Sequence, residues 1–118
     1  MRHEPRTYLW DARRAGEAVL RYVRGRTFDD YRTDDYFRSA VERQLQNLGE
    51  AIAQLARLDA ETAARIPDMR RIVAFRNVLV HGYAVLDHDV VWNVIHEHLP
   101  DLVSALDALL AELGPPEA

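Results

Sequence analysis

Residues 34–58, DDYFRSAVERQLQNLGEAIAQLARL, give the clearest indication of the fold. Its apolar residues recur every three or four positions, which is the spacing of one face of an amphipathic α-helix. Thr33 and Asp34 are both residue types that cap helix N-termini, and the periodic pattern ends near Leu58. The stretch therefore predicts one long helix, whose packing stripe consists of Phe37, Val41, Leu45, Leu48, Ile52 and Leu55.

A glycine lies near the middle of this stripe. Gly49 is inside the predicted helix, where glycine costs about 1 kcal/mol relative to alanine. We therefore expect this glycine to allow a second helix to approach closely.

Three further helices are predicted on either side of the long one, and no segment shows the alternation that is typical of a strand. Their approximate ranges are residues 7–24, 67–80 and 87–113. Gly25 and Gly82 are suitable helix stops, and Pro100 should kink the last helix. With a short helix or turn at residues 59–66, the sequence predicts an all-α, up-and-down bundle of four main helices plus a short helix. We expect Trp10 and Trp92 to anchor its core.

The composition indicates one globular domain. The chain has 118 residues, so we expect a single domain over residues 1–118 with a loose tail at residues 114–118. It contains no cysteine, no signal-peptide pattern at its start and no apolar run of the roughly 18 residues that a membrane span needs. We therefore expect a cytoplasmic protein that does not associate with membranes.

The charge distribution limits how the chain can bind nucleic acid. The net charge is −4, which argues against a broad electrostatic surface for nucleic acid. All 15 basic residues are arginine, a residue type that contacts phosphate through two parallel hydrogen bonds. A nucleic-acid site would therefore be a local cluster.

Residues 75–83, FRNVLVHGY, hold the side chains best suited to chemistry. Arg76 falls inside the apolar face of its predicted helix, where a charged group costs several kcal/mol unless it is paired. The arginine must therefore meet a carboxylate, reach a cleft or face another subunit. A guanidinium that is always charged and the His81 imidazole, which titrates near neutrality, are the minimum set for metal-free cleavage of RNA.

The spacing of Arg76 and His81 leaves two geometries open. On a straight helix, a separation of five residues places the two side chains about 140° apart, too far to share one phosphate. Either the helix ends near Val80 or His81 and the histidine turns back, or a symmetric dimer brings each arginine to the histidine of its partner. Both geometries give a small site with paired positive groups.

Arg76 and Asn77, followed after three residues by His81, Gly82 and Tyr83, resemble the Arg-x4-His-x-Tyr motif of the HEPN superfamily. More narrowly, the chain resembles the HepT-like ribonuclease toxins, and the resemblance covers nearly its whole length. The similar segments outside the motif are residues 8–11 (YLWD), 47–51 (NLGEA), 91–92 (VW) and 99–102 (LPDL).

This resemblance implies a helical homodimer that cleaves RNA in the dimer cleft, as an endoribonuclease without a metal or another cofactor. It assigns catalytic positions to Arg76 and His81, and to Asn77 the polar position beside the arginine. Tyr83 matches the tyrosine that a MntA-like nucleotidyltransferase antitoxin modifies with AMP, a reaction called AMPylation. The expected partners are therefore RNA (tRNA or mRNA), a second copy of the chain and that antitoxin.

Two other interpretations stay open. One is a non-catalytic HEPN dimer that binds RNA or a nucleotidyltransferase and only presents Tyr83 for modification. The other is a helical interaction module in which Arg76 forms a structural ion pair with Glu50. A metal site is not predicted, because His96 and His98 would point about 200° apart on a helix and no His-Glu-x-x-His motif is present.

Overall fold

Helices form all of the regular secondary structure in residues 4–81 and 87–114. These are the residues that the computed structural model describes, and of His81 it describes the backbone alone. The helices are α1 (Pro5–Val23), α2 (Phe28–Thr33), α3 (Asp35–Leu58), α4 (Ala60–Ala63), α5 (Met69–His81), α6 (His88–Glu97) and α7 (Leu99–Leu113). The predicted all-α helical bundle is confirmed.

The long helix α3 is the centre of the bundle. Its N-terminus is capped by Asp34, whose side chain accepts a hydrogen bond from the Phe37 N–H at 3.0 Å. Helix α1 packs along one side of α3, and α7 packs on α1. All six residues of the predicted packing stripe of α3 are buried, so both the range and the face predicted for this helix are confirmed.

The segment before α3 forms a helix that the apolar periodicity did not reveal. The Thr27 side chain accepts the Asp30 N–H at 3.1 Å, and the Asp30 carboxylate accepts the Thr27 N–H at 2.9 Å. This reciprocal capping starts α2, which places Tyr31 in the core with no exposed surface. The Tyr31 hydroxyl donates a hydrogen bond to Glu42 at 2.9 Å, so burial does not leave it unsatisfied.

The predicted kink at Pro100 is in fact a complete break. Helix α6 ends at Glu97, and His98 is the cap from which α7 starts. Pro100 therefore occupies the first turn of α7, where a missing N–H costs no helical hydrogen bond. The described residues also contain two short helices, α2 and α4, where one was predicted.

The two tryptophans differ from each other. Trp92 is partly buried, with its ring centroid 5.4 Å from that of Tyr31. The prediction for Trp10 is wrong: the residue is 40% exposed, and the Arg13 guanidinium lies over its ring. The residues of α1 that are fully buried in the core include Leu9, Ala12 and Val19.

Helix α5 is attached to the bundle less completely than the others. It packs extensively only against α3, and none of its described side chains is fully buried. At the crossing point, a Cβ atom added to Gly49 would lie 2.2 Å from the Cβ of Arg76. The close helix approach predicted at Gly49 is therefore confirmed.

Two sequence predictions fall at the margins of the described residues. Apart from Gly114, the predicted loose tail lies outside them. In residues 4–81 and 87–114, no helix combines the length and apolar character that crossing a membrane requires.

Candidate active site

Arg76 lies on the side of α5 that faces α3. Its helical neighbours on that side, Ile72, Val73 and Leu79, are partly buried and pack against the core. The Arg76 side chain is 26% exposed, so its stem is covered by the helix crossing while its charged end reaches the surface. The arginine thus occupies the packing face, as its position in the apolar pattern predicted.

Two side chains hold the guanidinium of Arg76. Its Nη2 lies 2.5 Å from Oε2 of Glu50 on α3, and its Nη1 donates a hydrogen bond to Oδ1 of Asn77 at 2.8 Å. The ion pair between Arg76 and Glu50 that the interaction-module interpretation requires is therefore present. Asn77 is exposed beside it and contacts the arginine directly, and its part in the site stays a prediction.

The third nitrogen of the guanidinium is in a different environment. Nε of Arg76 is buried and has no hydrogen-bond partner among the described residues. A guanidinium has five N–H groups, of which Nη1 and Nη2 carry two each. The described contacts of the terminal nitrogens are the hydrogen bond from Nη1 to Asn77 and the ion pair of Nη2 with Glu50.

Glu50 is itself held by neighbours on α3. Gln54 Nε2 donates a hydrogen bond to Oε1 of Glu50 at 2.9 Å, and Nη2 of Arg57 lies 3.8 Å from the same oxygen. One carboxylate oxygen thus faces Gln54 and Arg57, and the other faces Arg76. Gln54 and Arg57 lie four and seven residues after Glu50, on the same helix face, which is the sequence signal for this network.

The second half of the predicted motif is described only in part. Helix α5 continues through the backbone of His81, while the His81 side chain, Gly82 and Tyr83 lie outside the described residues. Five helical residues correspond to a rotation of about 140°, so the helical backbone does not by itself turn position 81 toward Arg76. Arg76 and Asn77 are brought together, and the role of His81 stays a prediction.

An apolar cavity of about 300 Å³ lies along one side of α5. Leu45 and Leu48 of α3 and Ile72 and Phe75 of α5 line it. Residues of α6 and α7 also line it, while Asp68, Arg71, His98 and Asp101 supply the polar part of its lining.

A larger and more polar groove, of about 780 Å³, runs between α1 and α3. Glu50 and Gln54 of the Arg76 network line it, together with the amides of Gln44 and Asn47. Arg14 and Arg21 line this groove together with two acidic residues of α1, so its lining carries both signs of charge. The candidate site therefore opens onto a polar surface.

Two described histidines outside the motif, His88 and His96, have structural surroundings. Nδ1 of His96 lies 2.9 Å from the Trp92 carbonyl oxygen, and the ring of His88 stands edge-on to Tyr31. In the described part of the chain, no group of three or more His, Asp, Glu or Cys side chains is arranged to hold a metal ion.

Comparison with known proteins shows the family to which this chain belongs. The family model described as "Ribonuclease HepT-like" matches residues 12–109, which is most of the chain. The chain belongs to the HepT-like ribonuclease family. The resemblance to HEPN proteins of the HepT type is therefore confirmed, and the chain is an endoribonuclease by family.

Curated relatives of this HepT-like chain carry matching names. "Putative RNase TTE0752" of Caldanaerobacter subterraneus subsp. tengcongensis is 27% identical over 106 residues, covering 90% of this chain and 94% of the relative. The "Probable ribonuclease HepT" of Thermococcus cleftensis is 28% identical over 109 residues, covering 92% and 98%. The "mRNA nuclease HepT" of Shewanella oneidensis is 30% identical over 67 residues, covering 57% of this chain and 50% of the relative. No solved structure gives a significant match.

Proposed function

We propose that this HepT-like chain is the toxin of a toxin–antitoxin pair: a cytoplasmic homodimer, one domain over residues 1–118, that cleaves RNA without a metal. The family match supports the ribonuclease class. The observation that carries the proposal is the guanidinium of Arg76, which an ion pair with Glu50 and a hydrogen bond to Asn77 hold at the surface. That arrangement suits the two oxygens of an RNA phosphate.

In the proposed reaction, the RNA itself supplies the nucleophile. The ribose 2′-hydroxyl gives its proton to a base and attacks the adjacent phosphorus, and the bond from phosphorus to the 5′-oxygen breaks. The leaving oxygen takes a proton from an acid, so the products carry a 2′,3′-cyclic phosphate and a 5′-hydroxyl. DNA is not a substrate, because it lacks the 2′-hydroxyl.

Each proposed catalytic residue has one task. His81 transfers a proton as base or as acid, and the partner subunit's His81 takes the other role, a contribution typically of about 10²–10⁴ in rate. Arg76 stabilises the charge that develops on the phosphoryl oxygens. Asn77 keeps the guanidinium in place through its hydrogen bond to Nη1.

The proposal that the chain forms a homodimer rests on the packing and the exposed valines of helix α5. The helix packs extensively on α3 alone, and its Val78 and Val80 are 39% and 44% exposed. About 140° of helical rotation separates positions 76 and 81, which makes a site shared between two copies easier to build than a site within one. A second α5 across the cleft would cover the exposed valines.

The small stability contribution expected of the ion pair between Arg76 and Glu50 favours this proposal over a purely structural role for Arg76. The side chains of Arg76 and Glu50 are 26% and 40% exposed, and pairs with this much solvent contact contribute about 0–1 kcal/mol. The pair therefore adds little net stability, and stability alone does not account for an arginine at this position.

Regulation is the second part of the proposal. A MntA-like nucleotidyltransferase antitoxin transfers AMP from ATP to the Tyr83 hydroxyl, which loses its proton while pyrophosphate leaves. The product carries a negative phosphate and a bulky base two residues after His81. The added phosphate repels the RNA phosphate from the site. A Tyr83→Phe protein should therefore remain toxic when the antitoxin is present, and neutralisation of this variant would contradict the switch.

The experiment that tests the ribonuclease is cleavage of tRNA and total RNA in EDTA, with the product ends mapped. Wild-type protein should leave 2′,3′-cyclic phosphates, and Arg76→Ala and His81→Ala should each lower the rate at least about 10²-fold. Arg65→Ala is the matched control, because it removes an arginine whose ion pair with Glu112 lies away from α5.

The second candidate is the non-catalytic HEPN dimer that binds RNA or a nucleotidyltransferase. The contact between Arg76 and Glu50 favours it, since a carboxylate already occupies one side of the guanidinium. A folded, unmodified wild-type dimer that binds RNA but leaves it intact would decide for this candidate.

A further inference from the structure

Glu50 is the residue that fixes the direction of the Arg76 guanidinium. Resting on the proposed function, in which Arg76 contacts the RNA phosphate, we infer that Glu50 is a positioning residue for the cleavage reaction. It holds Nη2 at 2.5 Å and so keeps the terminal nitrogens of Arg76 directed toward the substrate.

The geometry of Arg76 makes such a residue necessary. The side chain is fixed at its base by the contact with Gly49, and its Nε is closed off from solvent. Only the end of the guanidinium can therefore meet a phosphate. Its orientation depends on the bonds to Glu50 and Asn77, and Asn77 is an exposed neighbour on the same helix.

Glu50 is in turn oriented before any substrate arrives. Gln54 and Arg57 both approach its Oε1, which leaves Oε2 for Arg76. A carboxylate with both oxygens occupied has little freedom to rotate, so α3 supplies a fixed anchor for Nη2 beside the Asn77 contact of α5 with Nη1. Reactions that depend on such alignment lose about 10²-fold in rate when a group moves by about 1 Å.

If Glu50 instead hindered RNA binding, its removal would have the opposite effect on cleavage. If Glu50 were a competing anion that RNA must displace, removing its charge would raise the cleavage rate or lower KM. A positioning residue predicts a lower kcat with little change in KM, because the phosphate still meets a charged arginine but in the wrong orientation.

The closing experiment begins with RNA cleavage by Glu50→Ala and Glu50→Gln. We expect kcat to fall about 10²-fold in Glu50→Ala. The loss should be smaller in Glu50→Gln, whose amide oxygen still accepts one hydrogen bond. Glu112→Gln is the matched control, because Glu112 and Arg65 form another glutamate–arginine pair with a 2.5 Å separation, away from α5. An unchanged or increased kcat in both Glu50 variants would overturn the inference.

Rescue by free guanidinium separates positioning from a structural role. In Arg76→Ala, added guanidinium at millimolar concentration should restore part of the activity, since Glu50 can hold the small cation where the side chain was. The double variant Arg76→Ala/Glu50→Ala should show no rescue, whereas Arg76→Ala/Glu112→Gln should be rescued like the single variant. Equal rescue in all three proteins would contradict a positioning role.

A third measurement keeps this inference distinct from the proposed function. If wild-type protein cleaves no RNA, the proposed function fails, and NMR of the arginine side-chain N–H groups then tests the positioning directly. Separate Arg76 Nη signals in wild type and Glu112→Gln, averaged by rotation in Glu50→Ala, would support it. Identical signals in all three proteins would overturn it.

Discussion

Two physical requirements meet at Arg76. Its stem lies at the crossing of α5 and α3, where apolar packing is favoured, while its guanidinium needs water or an anion. Gly49 resolves the first requirement by leaving room for the arginine stem, and Glu50 resolves the second through its carboxylate. Two adjacent residues of α3 therefore make the charged residue of α5 tolerable.

The first prediction concerns the contact at Gly49. In Gly49→Ala, the new Cβ would lie 2.2 Å from the Cβ of Arg76, so the helices must separate. We expect this overpacking to cost about 1–3 kcal/mol, near the upper end because both atoms are attached directly to backbone. Alanine's better helix propensity returns at most about 1 kcal/mol, so urea unfolding should show a net loss of stability.

The matched control removes the opposing atom. Arg76→Gly deletes the Cβ against which the new side chain would collide, so Gly49→Ala should be neutral or stabilising in that background. Together the two substitutions form a double-mutant cycle whose coupling energy measures the contact. An equal loss of stability in both backgrounds would show that the helix approach does not depend on these two atoms.

At the scale of the helices, aspartates determine where several of them begin. Asp30, Asp34 and Asp59 accept N–H groups at the starts of α2, α3 and α4. A hydrogen bond from the Thr27 N–H lowers the pKa of Asp30, and one from the Phe37 N–H lowers the pKa of Asp34. The Thr62 hydroxyl and N–H lower the pKa of Asp59. All three carboxylates thus prefer their charged form in the folded chain.

The second prediction is a loss of stability in acid. Because folding lowers these pKa values, their stabilising contribution is complete above the unfolded aspartate pKa of about 3.9 and is lost as the pH falls through the folded values. Thermal unfolding followed by circular dichroism should show a steady melting temperature near neutrality that falls below about pH 4.

Asp34→Asn is the control for this pH effect. Asparagine can accept the same N–H but has no carboxyl group to titrate. The stability difference between wild type and the variant should therefore shrink as the pH falls below about 4. A difference that stays constant with pH would show that the Asp34 cap does not contribute to the acid sensitivity.

At the scale of the whole molecule, the distribution of burial is uneven. The core joins α1, α3, α6 and α7 with the buried Tyr31 of α2, whereas α5 contributes only partly buried residues. The proposed site lies on this least enclosed helix. A helix whose apolar side chains remain half open is suited to receive a second copy of the chain, and the same opening gives RNA access to Arg76.

The third prediction tests this surface. Wild-type protein should sediment as a dimer, and Val78→Asp should raise the dimer dissociation constant at least tenfold, because it places a charge in an apolar contact. Tyr36→Asp is the control, since Tyr36 is 90% exposed in the first turn of α3. Monomeric wild-type protein, or equal dissociation constants for the two variants, would exclude α5 as the dimer surface.

Apolar periodicity along the chain was sufficient to predict the long helices. The range and buried face of α3, the packing-face position of Arg76 and the close approach at Gly49 all followed from the spacing of residues along one helix. These features are local, because an amphipathic stripe must turn toward the core wherever that core lies. The resemblance carried by the Arg76 to Tyr83 motif also indicated the family that the family model confirms.

The contacts between side chains of different helices depend on how the helices pack in three dimensions. This packing placed Arg76 against both Glu50 and Asn77, fixed Gln54 and Arg57 around Glu50, and left Trp10 exposed. Helix α2 and the break before Pro100 were missed because capping and chain direction control them, and neither changes the apolar period. Periodicity gives the face of a helix, but the relative height and crossing point of two helices decide which side chains touch.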